Sequence, residues 1–206
     1  MDPRSSAASK NPTLTSTVEI EKAALQVFAE RGFEQTRVED VAAAAGISRR
    51  SFFRYFASKN DILFAGYDRL LEELEVWLGE QPADRPLLDV IAEGTLRFNR
   101  MHSDGAAAHR ERMELILHTP ALWANASLRH AEWRAVVARY AARRLDVDAD
   151  ALVPQLVGHV ALGAANAAYE EWLRDPSVDL AEIVRRAFTL AAAVADVEPS
   201  RSTGGG

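Results

Sequence analysis

Between residues 32 and 61 the chain carries helix stop and start signals so closely spaced that only short helices fit between them. Gly32 ends one helical pattern, Thr36 with Glu39 three positions on has the form of a capping box, and Gly46 ends the run VAAAAG. Ser48 is the next N-cap. Ile47 before that cap and Phe52 at the fourth helical position have the spacing of a hydrophobic staple, which sets the angle at which the next helix leaves the turn. That helix is expected to end near Phe56, because Ser58 with Asp61 repeats the capping pattern and opens a long helix through about Leu78.

Helical periodicity continues on both sides. A first helix is expected from about Thr17 to Arg31, with Ile20, Ala24, Val27 and Phe28 on one face and Phe33 tucked back after it. Beyond the break GEQPADRP, amphipathic segments follow near residues 87–103, 106–118, 120–145, 150–174 and 178–196, bounded by Pro120, the turn DVDAD and Asp175-Pro176. No stretch alternates like a strand between hairpin turns, and no internal repeat stands out. The expected fold class is all-α with about nine helices: an N-terminal helix-turn-helix unit over residues 15–62, and a larger helical bundle over 63–197. Residues 1–14 and 198–206 read as a disordered arm and tail.

Composition narrows the chemistry. With 206 residues, 48% hydrophobic and 26% charged, the chain is of soluble globular type. It has no cysteine, which excludes disulfides, thiol catalysis and cysteine-based metal sites and suits a cytoplasmic protein. No apolar run approaches the roughly 20 residues of a membrane span, so no membrane association is expected. The five histidines include no pair four apart, and neither a His-Glu-X-X-His motif nor a glycine-rich phosphate loop is present. No catalytic site, cofactor or metal is therefore expected.

Against a formal net charge of −6, the stretch from Arg49 to Lys59 carries four cations and no acid. An acidic protein that binds nucleic acid must do so through such a local patch. A short helix, a tight Gly turn and a second short helix form the unit that sets its second helix in the DNA major groove. On that second helix Phe52 and Phe56, four apart, can face inward, which leaves Arg49, Arg50, Ser51, Arg54 and Tyr55 around the outer arc. Arg49 and Arg50 are candidates for guanine O6 and N7, whose two acceptors match the guanidinium fork. Their charge opposes the positive end of the helix dipole at a cost of roughly a few tenths of a kcal/mol, so helix stability does not account for them. Lys59 and the Thr36 hydroxyl are candidates for phosphates, and Arg37 is a further candidate for DNA contact.

The stretch TRVEDVAAAAGISRRSFFRYFASKNDIL resembles the DNA-binding domain of TetR-type transcriptional regulators, whose pattern runs Thr, a helix, Ala-Gly-Val-Ser, an aromatic-rich helix ending Tyr-X-X-Phe, then Ser-Lys-Glu. The resemblance covers about residues 17–65. It implies that Ser48, Arg49, Arg50 and Ser51 approach bases while Thr36, Phe53, Tyr55 and Lys59 lie at or near the backbone. Phe53 departs from the pattern, because the family often has a tyrosine there. SRRSFFRYFASKND is also similar to actinobacterial members, including regulators associated with mycofactocin biosynthesis loci. The resemblance further implies a homodimer on a pseudo-palindromic operator, released when a small effector binds the larger domain.

For that larger domain, Leu180, Ile183, Val184, Ala187, Leu190, Ala191 and Val194 trace a stripe of three-and-four spacing, and with Leu156 they are candidates for the dimer interface. Gly158, Ala161, Gly163, Ala164 and Ala165 allow close helix contact. The alternative is that both stripes serve the core of a monomer. Candidate effector contacts are the apolar Phe98, Met101, Leu115, Trp123, Trp133, Tyr140 and Tyr169 with the polar His102, Arg112 and Asn166. Arg97, His118 and His159 are further polar candidates. Abundant large apolar groups favour a greasy effector, and similarity to lipid-responsive actinobacterial regulators implies an acyl thioester such as an acyl-CoA. The competing reading is a helical ligand-binding or protein-interaction module that does not read DNA sequence.

Overall fold

The computed structural model describes residues 17–100, 105–175 and 177–193. Among them are nine α-helices: α1 (Thr17–Arg31), α2 (Val38–Ala44), α3 (Arg49–Tyr55), α4 (Tyr67–Gly79), α5 (Leu87–Arg100), α6 (Ala106–His118), α7 (Pro120–Leu145), α8 (Leu152–Arg174) and α9 (Leu180–Ala193). A 3-10 segment, Lys59–Phe64, lies between α3 and α4. The chain divides into two compact units between Ala65 and Gly66. The expected arm and tail, together with Met101, His102 and Val194, lie outside the described residues.

In the first unit α1 buries Ile20, Ala24, Val27 and Phe28, as its periodicity predicts, and Phe33 folds back with its ring edge-on to Phe28 at 5.0 Å. Two start signals resolve differently from expectation. The N-cap of α2 is Arg37, not Thr36, and its amide donates to Asp40 Oδ2 at 2.8 Å. Thr36 is only 2% exposed, and its hydroxyl donates to the Gly32 carbonyl at 2.8 Å. It therefore closes the turn after α1 instead of opening the next helix. At Ser58 the hydroxyl donates to Asp61 Oδ2 at 2.7 Å, and only a 3-10 segment follows. The expected long helix is broken at Gly66, whose φ of 72° places it in the left-handed region ahead of α4.

The turn between α2 and α3 forms as read. Gly46 N–H bonds Ala43 O at 3.1 Å and Ile47 N–H bonds Ala42 O at 2.9 Å, the paired closure of a Schellman motif. Gly46 has φ of 67°, yet a Cβ there would meet nothing within 4 Å. The residue is required by backbone conformation rather than by space.

In the second unit α7, α8 and α9 pack in sequence, and α9 returns to α5. The close approach of α7 to α8 depends on Gly158, where a Cβ would lie 2.9 Å from the Arg134 carbonyl oxygen. Ala161, Ala164, Ala165 and Ala168 continue that buried seam. The small residues of α8 thus serve contact within this unit, except Gly163, which is exposed with open space where a Cβ would sit. Arg139 pairs with both Glu75 carboxylate oxygens at 2.7 and 2.8 Å and ties α7 to α4. Among the described residues no helix is long and apolar enough to cross a membrane.

Candidate nucleic-acid interface

Helix α3 is anchored from below and charged above. Phe52 is fully buried and Phe56 nearly so, their rings 5.6 Å apart. Fully burying such a ring is worth about 1.5–3 kcal/mol, ample to hold a seven-residue helix that is too short to be stable alone. Ser48 caps it: with φ −76° and ψ 157°, its Oγ accepts from the Ser51 amide at 3.0 Å. The Ser48 and Ser51 hydroxyls also lie 3.0 Å apart, so both sit at the helix entrance. Arg49, Arg50, Phe53 and Arg54 are exposed, and Ser51 and Tyr55 half-buried. Arg50, Ser51, Phe53 and Arg54 line one shallow surface concavity.

The ten candidates for nucleic-acid contact separate into groups. Arg50 has no hydrogen-bond or ion-pair partner among the described residues. Arg54 lies over the Tyr55 ring at 5.0 Å and donates to its hydroxyl at 3.2 Å. Arg49 donates through Nε to Glu39 Oε1 at 2.7 Å and stacks on Phe53 at 5.0 Å. Arg37 is exposed at the start of α2. Lys59 and Thr36 are used within the unit. The Lys59 ammonium donates to Phe33 O at 2.5 Å and Thr36 O at 2.9 Å and sits 4.0 Å from the Phe33 ring centre. Partial burial lowers its pKa, offset by the nearby Glu34 charge. Two of its three donors are committed to bracing the turn after α1. Thr36, with its hydroxyl on Gly32 O, belongs to the same brace.

In the second unit the effector candidates also separate. Phe98, Arg112, Trp133, Tyr140 and Tyr169 are buried, Leu115 and Asn166 half-buried. The Tyr140 hydroxyl accepts from Arg144, which also donates to Ala83 O and Arg85 O, all at 2.7 Å. That arrangement pins the segment before α5. Trp123 is 39% exposed and faces a surface groove with Leu117, His118, Leu173 and Arg174. Arg97 and His118 are exposed, and His159 is exposed with Arg134 Nη1 2.9 Å from its Nδ1.

What gathers in the interior is a polar and aromatic cluster between α6 and α8. His109 Nε2 and the Tyr169 hydroxyl are hydrogen-bonded at 3.1 Å, and the His109 ring lies 5.6 Å from Trp172. Arg110 donates to Trp172 O at 2.5 Å and covers its ring at 4.1 Å. Burial, with the Arg112 charge adding to it, pushes the His109 pKa down to about 4, and burial raises that of Tyr169. Nδ1 of His109 is buried without a hydrogen-bond partner among the described residues. His109 and Trp172 were not among the predicted contacts. The available signal was a pair of i, i+3 spacings, His109 with Arg112 and Tyr169 with Trp172, each of which puts two side chains on one helix face.

The dimer candidates divide as well. Ile183 and Val184 are buried within this unit and belong, with Phe188, to its own core, which corrects their assignment to an interface. Leu180, Ala187 and Ala191 are half-buried. Leu156 and Leu190 are 55% and 54% exposed, and Leu152 is 80% exposed.

Comparison with known proteins agrees with this geometry. The profile of bacterial regulatory proteins of the tetR family matches residues 20–65, and that of the MftR C-terminal domain matches residues 85–196. The chain belongs to the TetR family. It is accordingly a DNA-binding transcriptional regulator and not an enzyme. It is 40% identical over 177 residues to the protein of Mycobacterium tuberculosis described as the mycofactocin biosynthesis transcriptional regulator MftR, covering 86% of this chain and 89% of that one. Among solved structures, the fold is similar to that of Thermus thermophilus FadR, a TetR-family transcriptional repressor, in complex with lauroyl-CoA (TM-score 0.56, 21% identity, 92% of this chain and 100% of that one). It is likewise similar to Bacillus subtilis FadR in complex with stearoyl-CoA (TM-score 0.63, 18% identity, 85% of this chain and 97% of that one).

Proposed function

We propose that this TetR-family regulator is a homodimeric repressor that sits on a pseudo-palindromic operator and leaves it when a long-chain acyl-CoA binds its second unit. The observation that carries the reading is the Ser48-capped α3, whose buried Phe52 and Phe56 hold Arg49, Arg50 and Arg54 outward on an otherwise acidic chain. Arg49, Arg50 and Ser51 enter the major groove and read bases, while Arg37, Arg54 and Tyr55 meet the backbone. Two copies related by a two-fold axis present two such helices, which requires inverted half-sites on one face of the duplex. The exposed apolar residues Leu152, Leu156 and Leu190 on α8 and α9 support a partner copy on that face.

We assign effector binding to the second unit, with the buried Phe98, Trp133 and Tyr169 as candidate apolar contacts and the buried His109 and Arg112 as candidate polar ones. The acyl-CoA class is supported by the two FadR complexes of the same fold. An effector releases DNA only through higher affinity for the conformation that does not fit the operator. The test is a gel shift with the DNA upstream of the protein's own gene, against scrambled competitor, titrated with oleoyl-CoA and with free CoA. Specific retention reversed by the thioester alone is expected. Equal binding to scrambled duplex would leave the second unit as a ligand-binding module without sequence reading, and release by free CoA would refute an acyl effector.

A further inference from the structure

The Arg49 guanidinium is aimed by two neighbours, Phe53 and Glu39, of which Glu39 belongs to no assigned contact set. Arg49 is the first residue of α3, with its side chain 64% exposed, a position where a long arginine ordinarily samples many rotamers. Glu39 of α2 accepts from its Nε at 2.7 Å, and the Phe53 ring, one helical turn further along α3, lies under its guanidinium carbon at 5.0 Å. Phe53 is itself fixed: it stands edge-on to Phe52 at 5.4 Å and 86°, and Phe52 is fully buried. A continuous series of contacts thus runs from the core through Phe52 and Phe53 to Arg49, and α2 closes it from the other side. With Nε taken by Glu39, the edge left for a base is the Nη1–Nη2 fork, the pair of donors that guanine O6 and N7 can accept together.

We propose that Glu39 and Phe53 are positioning residues that hold Arg49 as a base-reading fork and thereby set sequence preference at the position it meets. A carboxylate beside a DNA-facing helix repels the polyanion, so Glu39 costs affinity for any duplex; what it contributes is direction. Phe53 supplies a ring face for the guanidinium, a role for which the hydroxyl of the tyrosine often found in the family is not needed. An exposed ion pair of this kind is worth at most about 1 kcal/mol, so it biases Arg49 without locking it away from DNA.

The experiment is selection of bound duplexes from a randomised library by the full chain at one salt concentration. The chains compared are the unmodified one, Glu39→Gln, Phe53→Leu, Phe53→Tyr, Arg49→Ala and the double variant Glu39→Gln/Arg49→Ala. Glu39→Gln is expected to lower guanine preference at the Arg49 position by up to about fivefold, the factor that about 1 kcal/mol of orientation corresponds to. Its affinity for random duplex is expected to stay level or rise. Phe53→Leu should lose preference at the same position and Phe53→Tyr keep it. In the Arg49→Ala background Glu39→Gln should add nothing. The proposal is overturned if Glu39→Gln leaves the preference intact, or if it removes as much preference when Arg49 is already absent. Absence of any selected sequence with the unmodified chain would overturn base reading altogether, a result distinguishable from either of these.

Discussion

Replacing Gly46 by alanine isolates the contribution of one backbone conformation to the helix-turn-helix. Gly46 has φ of 67° and open space where a Cβ would stand, so the substitution introduces conformational strain and no clash. An L-residue in the left-handed region costs about 1–2 kcal/mol. Reduced freedom of the unfolded chain returns about 0.4–1 kcal/mol. The net loss is about 1 kcal/mol, or roughly fivefold in the equilibrium between closed and open turn. All four tryptophans lie beyond residue 65, at 77, 123, 133 and 172, so fluorescence does not report directly on this turn. Amide hydrogen exchange does. The Ile47 amide, bonded to Ala42 O, and the Phe52 amide, bonded to Ser48 O, are expected to exchange roughly fivefold faster in Gly46→Ala. Operator affinity is expected to change by much less than this factor, because the closed turn stays the dominant form and apparent affinity scales with its fraction. Gly46→Asn should recover part of the loss, because asparagine tolerates the left-handed region better than alanine. Unchanged exchange in Gly46→Ala, or an asparagine variant no better than alanine, would refute the conformational reasoning.

Three other outcomes follow from the geometry. Gly158→Ala places a Cβ 2.9 Å from the Arg134 carbonyl; overpacking of about 1–3 kcal/mol outweighs a helix-propensity gain of up to about 1, so the urea midpoint read by tryptophan fluorescence should fall. His109 has its pKa pushed down to about 4 in the folded protein, so the unfolded chain binds more protons between that value and the ordinary imidazole range near 6.5. Stability should therefore be lost as pH falls from about 6.5 to 4, by about 3 kcal/mol in all, and His109→Gln should flatten that part of the pH profile in urea titrations. Lys59→Met should speed amide exchange around the turn after α1 while leaving the salt dependence of DNA binding unchanged, whereas a phosphate contact would lower the slope by about 1.

Much of the DNA-reading unit was legible because its determinants are local. Ser48, Gly46 and the Phe52/Phe56 spacing act within a few residues, and each appears in the structure as the pattern implies. The same kind of signal misled at Thr36 and Ser58, since a hydroxyl three residues before an acid can satisfy itself in more than one way. Thr36 donates back to Gly32 and Ser58 donates to Asp61, and neither caps an α-helix. The internal hydrogen bonds of Lys59 were not legible for a different reason: its two acceptors lie 26 and 23 residues earlier in the chain.

Periodicity by itself determined that this chain is helical, where most of its helices begin and end, and that one short basic helix stands apart from an acidic whole. Hydrogen bonding and side-chain spacing over a few residues are sufficient for that. The tertiary structure decided which apolar stripe is spent internally, since Ile183 and Val184 are buried in their own unit whereas Leu156 and Leu190 remain exposed. It also decided that His109 meets Tyr169 across sixty residues of chain and that Glu39 meets Arg49 across the turn. An amphipathic pattern states that a face must be covered, but what covers it depends on the path of the backbone through space.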